Sequence, residues 1–380
     1  MNKGKIRLSG QTLIFALAGT TALAGGLERS VLNTSPLFEE GRYLEFSGAL
    51  VLPDLSGDGG TIPPAFGGPL PLSGNTGNLL ESYATLGVAY KADINDSLSY
   101  AIIVNQPLGA NTAYPTGSAP SPLDAQNVYG GSSANLTSVA LTGLLAYDVT
   151  ERIKIFGGPV LQTLTADASI AFLSDYAVET NTSAGIGYTL GAAYSVPDIA
   201  LRVGVTYRSA IEHDLDTRES SLALGTNATQ TTLETPQSVT LDAQTGIAKD
   251  TLLFGQINWV DWSEFAIAPP NYTTLTGGRP LVDYQEDWTT YTLGVGRRFS
   301  ETWSGAVSFS YEPQTKTELT SLGPIDGRYG VSLGATHETD RYKVSGGVSY
   351  SVLGNARNVL DTDYDNGSAL GVGLRIGFKL

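Results

Sequence analysis

Few residues of this chain are of a type and spacing that could do chemistry. The two histidines, His213 and His337, fall at a loop base and in a short turn on opposite rims, and no neighbouring serine suggests a nucleophile–base pair. There is no cysteine, which excludes disulfides and thiolate metal sites. Asp361-Thr362-Asp363-Tyr364-Asp365-Asn366-Gly367 has the start of a calcium loop, but its glycine comes one place late and Val372 stands where the closing glutamate belongs. Gly371, Gly373 and Gly377 lie inside a strand-like run and open no helix, so they form no nucleotide loop. The chain is expected to be no enzyme and to carry no cofactor or metal. Its net charge of −15 and lack of a basic patch argue against nucleic acid. Glu212, Asp214, Asp216 and Glu219 read as solvated loop acidity.

The elements that would position any site are strands. Leu370, Val372, Leu374, Ile376, Phe378 and Leu380 alternate with Gly371, Gly373, Arg375, Gly377 and Lys379, a period of two. A face rich in glycine opposite an apolar one suits a wall with lipid on one side and a crowded lumen on the other. Only 16% of residues are charged, against roughly 25% in soluble domains, while 45 glycines and 19 tyrosines suit a barrel wall. No run of about 18 apolar residues is present to cross a membrane as a helix.

Met1–Ala24 reads as a signal peptide, with Lys3, Lys5 and Arg7, an apolar core, and Ala22-Leu23-Ala24 as the cleavage site. Residues 25–41 contain Pro36 and apolar Leu37 and Phe38 without alternation, which predicts either a loose periplasmic tail or a segment tucked into the barrel mouth. Residues 42–380 predict an all-β, outer-membrane β-barrel of about 14 antiparallel strands. The strands fall near 42–53, 80–92, 97–107, 134–149, 152–167, 184–196 and 199–212, then 236–248, 251–265, 287–299, 302–313, 328–338, 341–352 and 368–380. Short turns such as Pro197-Asp198 and Lys249-Asp250 alternate with long loops, 213–235 among them.

The third strand breaks the pattern. Leu98–Val104 runs into Asn105-Gln106-Pro107-Leu108-Gly109-Ala110, where Pro107 lacks a ladder donor and Gly109 permits a bend. Either the strand ends there, or it kinks and opens a gap in the wall between itself and the next strand.

Asn33-Thr34-Ser35-Pro36-Leu37-Phe38, the run 105–110, Val205-Thr206-Tyr207-Arg208-Ser209, Asp261-Trp262-Ser263-Glu264-Phe265 and the Trp303 strand occur in the order found in one family. The chain resembles the FadL family (OmpP1/FadL/TodX) of outer-membrane transporters for long-chain fatty acids and other hydrophobic compounds. The resemblance implies a monomeric fourteen-stranded barrel with its N-terminus as a lumenal hatch, set among outer-membrane lipid and lipopolysaccharide. A hydrophobic ligand would be caught at the outer loops, pass to a site above the hatch, and leave sideways through the kink at Asn105, Gln106, Pro107, Leu108, Gly109 and Ala110. Asn33, Pro36, Leu37 and Phe38 would contribute to the pocket. Strand phase puts Arg208 beside Thr206, and Arg298 beside Thr292, Gly294 and Gly296, so both are candidate partners for an acidic head group. Pairing with a wall carboxylate such as Asp242 is the alternative for either. The hatch is shorter than the family's, and Thr163, Thr165 and Ala266-Ile267-Ala268 stand where basic residues would meet a carboxylate. A neutral hydrocarbon is therefore as compatible as a fatty acid. A porin for polar solutes and a structural or adhesive barrel are the competing readings.

Overall fold

The computed structural model describes residues 26–64, 68–315 and 317–380; the expected signal peptide lies outside the described residues. Fourteen strands form a closed antiparallel barrel. The first seven are β1 (Tyr43–Asp58), β2 (Tyr83–Asp93), β3 (Leu98–Asn105), β4 (Ser133–Thr150), β5 (Ile153–Ile170), β6 (Ser183–Val196) and β7 (Leu201–Arg208). The second seven are β8 (Ser238–Ala248), β9 (Thr251–Val260), β10 (Trp288–Arg298), β11 (Trp303–Glu312), β12 (Arg328–Glu338), β13 (Tyr342–Leu353) and β14 (Asp363–Lys379). Each pairs with its neighbours in sequence, and β1 closes the ring on β14, from Tyr43↔Lys379 to Pro53↔Ala369 and beyond.

The alternation predicted for the last strand holds in space. Val372 and Leu374 are exposed on the outside, Gly371 and Gly373 are buried on the inside, and the lumenal Arg375 meets Glu45 at 3.3 Å. The glycines make room for large rings on the adjacent strand: a Cβ on Gly377, Gly191 or Gly294 would collide with Tyr43, Phe156 or Phe254. A wall of this kind pairs its ladder groups strand to strand, as lipid requires, except where β2 and β3 part.

Two regions depart from expectation. Residues 213–235 are not a loop: Ile211–Ser221 and Gly225–Thr235 form a hairpin that continues the wall past β7 and β8. Its inner face stays buried through Ile211, His213 and Leu215, while Glu212, Asp214 and Asp216 face out. Glu219 is fully buried rather than solvated, accepting from Tyr176 Oη at 2.8 Å and from the Asn271 and Tyr272 amides at 3.0 and 3.1 Å. It thereby anchors the short helix Pro270–Thr276 of an outer loop.

The second departure concerns the side of the gap. β3 keeps its partner β4: after Asn105↔Ala140 the ladder bulges by one residue and resumes at Gly109↔Thr137, with Leu108 N donating to Ser138 Oγ at 2.8 Å. The ladder that ends is β2–β3, which stops at Val88↔Val104 although β2 stays paired with β1 up to Tyr83. Backbone pairing between the two sides returns where Glu81 N donates to Asn111 O at 3.0 Å. The opening is therefore framed by Tyr83–Gly87 and Asn105–Ala110, on the far side of the kink from the one the sequence suggested.

Candidate ligand site and side opening

The N-terminal segment occupies the lumen and is sewn to the kink. Arg29 N donates to Pro107 O at 2.7 Å, Gly109 N donates to Leu27 O at 2.8 Å, and Ser30 Oγ donates to Gln106 O at 2.7 Å. Asn105 Nδ2 donates to Ser30 Oγ, and Arg29 Nε donates to Gly109 O, both at 3.0 Å. The strand that lost β2 as a partner thus finds another inside the barrel, which meets the demand that buried backbone groups be paired. Further along, Ser35–Phe38 forms a 3-10 turn with Pro36 in its first positions. Leu37 is 1% exposed and packs on Ala89, Ala101, Ile103, Leu144, Ala146 and Phe156. Polar ties reach other strands: Asn33 Nδ2 donates to Glu45 at 3.0 Å, and Glu39 meets Lys343 at 3.3 Å.

Several cavities follow this segment. The uppermost is a narrow cavity of ≈ 50 Å³ with an almost wholly apolar lining that includes Leu27, Leu136, Leu215, Ile267, Leu281 and Tyr284. An aromatic cluster walls it below, with Trp262 and Tyr284 5.0 Å apart and Tyr284 and Trp288 5.2 Å apart. One residue further along the segment the surroundings change. Glu28 lines a polar cavity with Gln162, Thr206, Arg208 and Thr240. Burial, then the charge of Glu312, pushes the Glu28 carboxyl up to about 7, against hydrogen bonding from Asn258 and the charges of Arg328 and Arg208. Val31 lines both this cavity and a third, which reaches the opening at Leu86, Gly87, Val104 and Asn105. Across the opening Leu86 N donates to Gln106 Oε1 at 2.9 Å. Nearer the long loops a cavity of ≈ 290 Å³ lies between Phe172, Tyr272, Arg279 and Leu319.

The residues singled out from sequence divide into groups. Asn105–Ala110 frame the opening, and Arg208 sits in the polar cavity, where its Nη2 donates to Gln162 Oε1 at 3.0 Å. Asp242 interacts with Arg202, not with Arg208. Arg298 is at the short-turn rim, its amide donating to Asp250 O, far along the barrel from Arg208 at the opposite end of β7. Pro36, Leu37 and Phe38 lie among the strands toward the short-turn rim, and Arg202 stacks over the Phe38 ring at 4.2 Å. None of the three lines the apolar cavity. Asp361 and Asp363, from the calcium-like run, face Arg357 at 3.8 and 2.7 Å. Leu27, Glu28, Ser30 and Val31 carry more of the site than the hatch positions chosen from sequence. Their signal was a charged pair, Glu28-Arg29, inside a segment expected to enter a lumen.

A closed fourteen-stranded barrel with lipid-facing strands and internal cavities of this kind is an outer-membrane transport barrel. The family model described as outer membrane protein transport protein (OMPP1/FadL/TodX) matches residues 73–376, and the chain belongs to that family. Among solved structures, a Pseudomonas aeruginosa FadL homologue superposes with a TM-score of 0.71 at 14% identity, covering 90% of this chain and 91% of its own. The Pseudomonas putida toluene transporter TodX gives 0.63 at 13% identity, covering 94% and 96%. The Ralstonia pickettii toluene transporter TbuX gives 0.61 at 12%, covering 96% and 100%. At these identities the likeness is one of fold. No curated protein sequence matches the chain significantly.

Proposed function

We propose that the protein carries hydrophobic small molecules across the outer membrane by passive diffusion, with release sideways into the bilayer between β2 and β3. The observation that carries this reading is the chain of cavities from the apolar pocket at Leu27, past Glu28 and Val31, to the unpaired edge at Leu86 and Gln106. A hydrophobic ligand gains about 0.8 kcal/mol per methylene on leaving water, so release into the periplasm is uphill and release into lipid is not. Residues 26–41 act as the hatch, closing the straight path through the lumen. Arg208 is a polar contact for the ligand's head, and the outer cavity at Phe172 and Tyr272 is its first stop. The apolar pocket suits a hydrocarbon chain and the toluene named as cargo of the similar transporters alike.

Filling the apolar pocket tests the reading. Ala168→Phe places a ring where Ala168 lines the cavity. Uptake of a labelled long-chain hydrophobe by cells carrying this variant should fall about tenfold, with the barrel still folded by its heat-modifiable mobility. Undiminished uptake through a folded variant would mean that the cavity is not on the path.

A further inference from the structure

The polar cavity below the apolar pocket already contains an acid. Glu28 on the N-terminal segment and Arg208 on β7 line it, and the charges of Glu312 on β11 and Arg328 on β12 act on the Glu28 carboxyl. Two acids and two bases cancel. Arg328 is 2% exposed, and its Nε, Nη1 and Nη2 have no hydrogen-bond partner among the described residues. Gln162 Nε2 is likewise buried without a partner, while its Oε1 accepts from Arg208. Gln162 thus leaves an unused amide donor in a cavity lined by one acid and one base.

Resting on the transport reading above, we propose that this site selects uncharged hydrophobic ligands bearing one hydrogen-bond-accepting group, such as long-chain alcohols or ketones, and that Glu28 excludes carboxylates by holding the place of their charge. A neutral oxygen placed by Gln162 and Arg208 accepts from Gln162 Nε2 and adds no charge, while its hydrocarbon runs up past Leu27 into the apolar pocket. A carboxylate would bring a third negative charge against two positive ones, out of reach of bulk water, and burying an uncompensated charge is strongly unfavourable. Burial first, and the charge of Glu312 second, already raise the Glu28 carboxyl to about 7, the direction in which a further buried carboxylate would be disfavoured.

The test compares 1-dodecanol with dodecanoate, matched in chain length, by displacement of a fluorescent hydrophobe from the purified full-length protein in nanodiscs at about pH 8, where Glu28 is ionised. The native protein should bind dodecanol about tenfold tighter than dodecanoate, and Glu28→Gln should erase that preference by tightening dodecanoate. Glu312→Gln, which removes an acid from the same balance without touching the N-terminal segment, should shift the ratio in the same direction. Equal binding of the two ligands by the native protein, or a ratio unchanged in both folded variants, overturns the selection by charge. If neither ligand displaces the probe from the native protein, the pocket itself has been misread and the transport reading fails with it.

Discussion

The amide of Arg29 donates to the carbonyl of Pro107 at 2.7 Å, so the N-terminal segment supplies a partner to the strand whose ladder with β2 has ended. Ser30 extends the tie, donating to Gln106 O and accepting from Asn105 Nδ2. Any movement of residues 27–30 would therefore change the hydrogen-bond partners of the kink. Removing the Ser30 hydroxyl should show it. Ser30→Ala leaves the Asn105 amide and the Gln106 carbonyl short of a partner, each hydrogen bond contributing about 1 kcal/mol. Hydrogen exchange at residues 105–110 should rise several-fold in this variant, while exchange at β11–β13 stays as in the native protein.

Gln106 is the side chain that spans the opening. Gln106→Ala frees the Leu86 amide, a loss of about 0.5–1.5 kcal/mol across the gap. Uptake of a hydrophobic solute should be faster, not slower, in this variant, as measured by initial rates in cells with matched expression.

Leu37 holds the lower part of the segment. Leu37→Ala removes a side chain that is 1% exposed, at a cost of about 2–5 kcal/mol to the seated state. Protease cleavage within residues 26–41 should accelerate in the folded barrel, whose own resistance should not change.

The lumenal pair Glu45–Arg375 is tied to the same segment through Asn33. Glu45→Gln leaves the half-buried Arg375 without its counter-charge, a loss at or below the roughly 3–5 kcal/mol of a fully buried pair. The barrel's unfolding midpoint in denaturant should fall, and the Glu45→Gln/Arg375→Met double variant should recover part of the loss.

Seating of the segment should also depend on pH through Glu28. Its carboxyl is raised from the ordinary 4.5 to about 7 when buried, so the seated state binds the proton more tightly than the released one. The stabilising contribution is then complete below about 4.5 and is lost as pH rises through about 7. Protection factors of the amides of residues 27–31, corrected for intrinsic exchange, should drop between about pH 5 and pH 8 in the native protein and stay level in Glu28→Gln.

How much of this was legible depended on what alternation can carry. β13 could be placed from Val344, Val348 and Tyr350 against Ser345, Gly347 and Ser349, because each residue's face is fixed by its own position in the strand. The hairpin Ile211–Thr235 alternates as well, but above the lipid its outer face turns to Glu212, Asp214 and Asp216, and charge there read as a loop. Pro107 and Gly109 marked the kink; the side on which the ladder would part was not written in them. That depends on Ser138 bridging to Leu108 on β4 and on the N-terminal segment pairing from inside, both contacts between distant stretches. Arg208 and Arg298 looked equivalent by phase, since phase gives the face of a strand and not the height along the barrel.

The central claim is that cargo leaves through the wall between β2 and β3, and locking that edge tests it most directly. The chain has no cysteine, so Leu86→Cys and Gln106→Cys can be joined alone by a short, reducible thiol cross-linker across the gap bridged by the Leu86 N–Gln106 Oε1 bond. Uptake of a labelled hydrophobe should stop in the cross-linked protein, ligand binding to the purified protein should persist, and reduction of the linker should restore uptake. Transport by the locked protein at the unlocked rate would contradict the account and place the exit elsewhere.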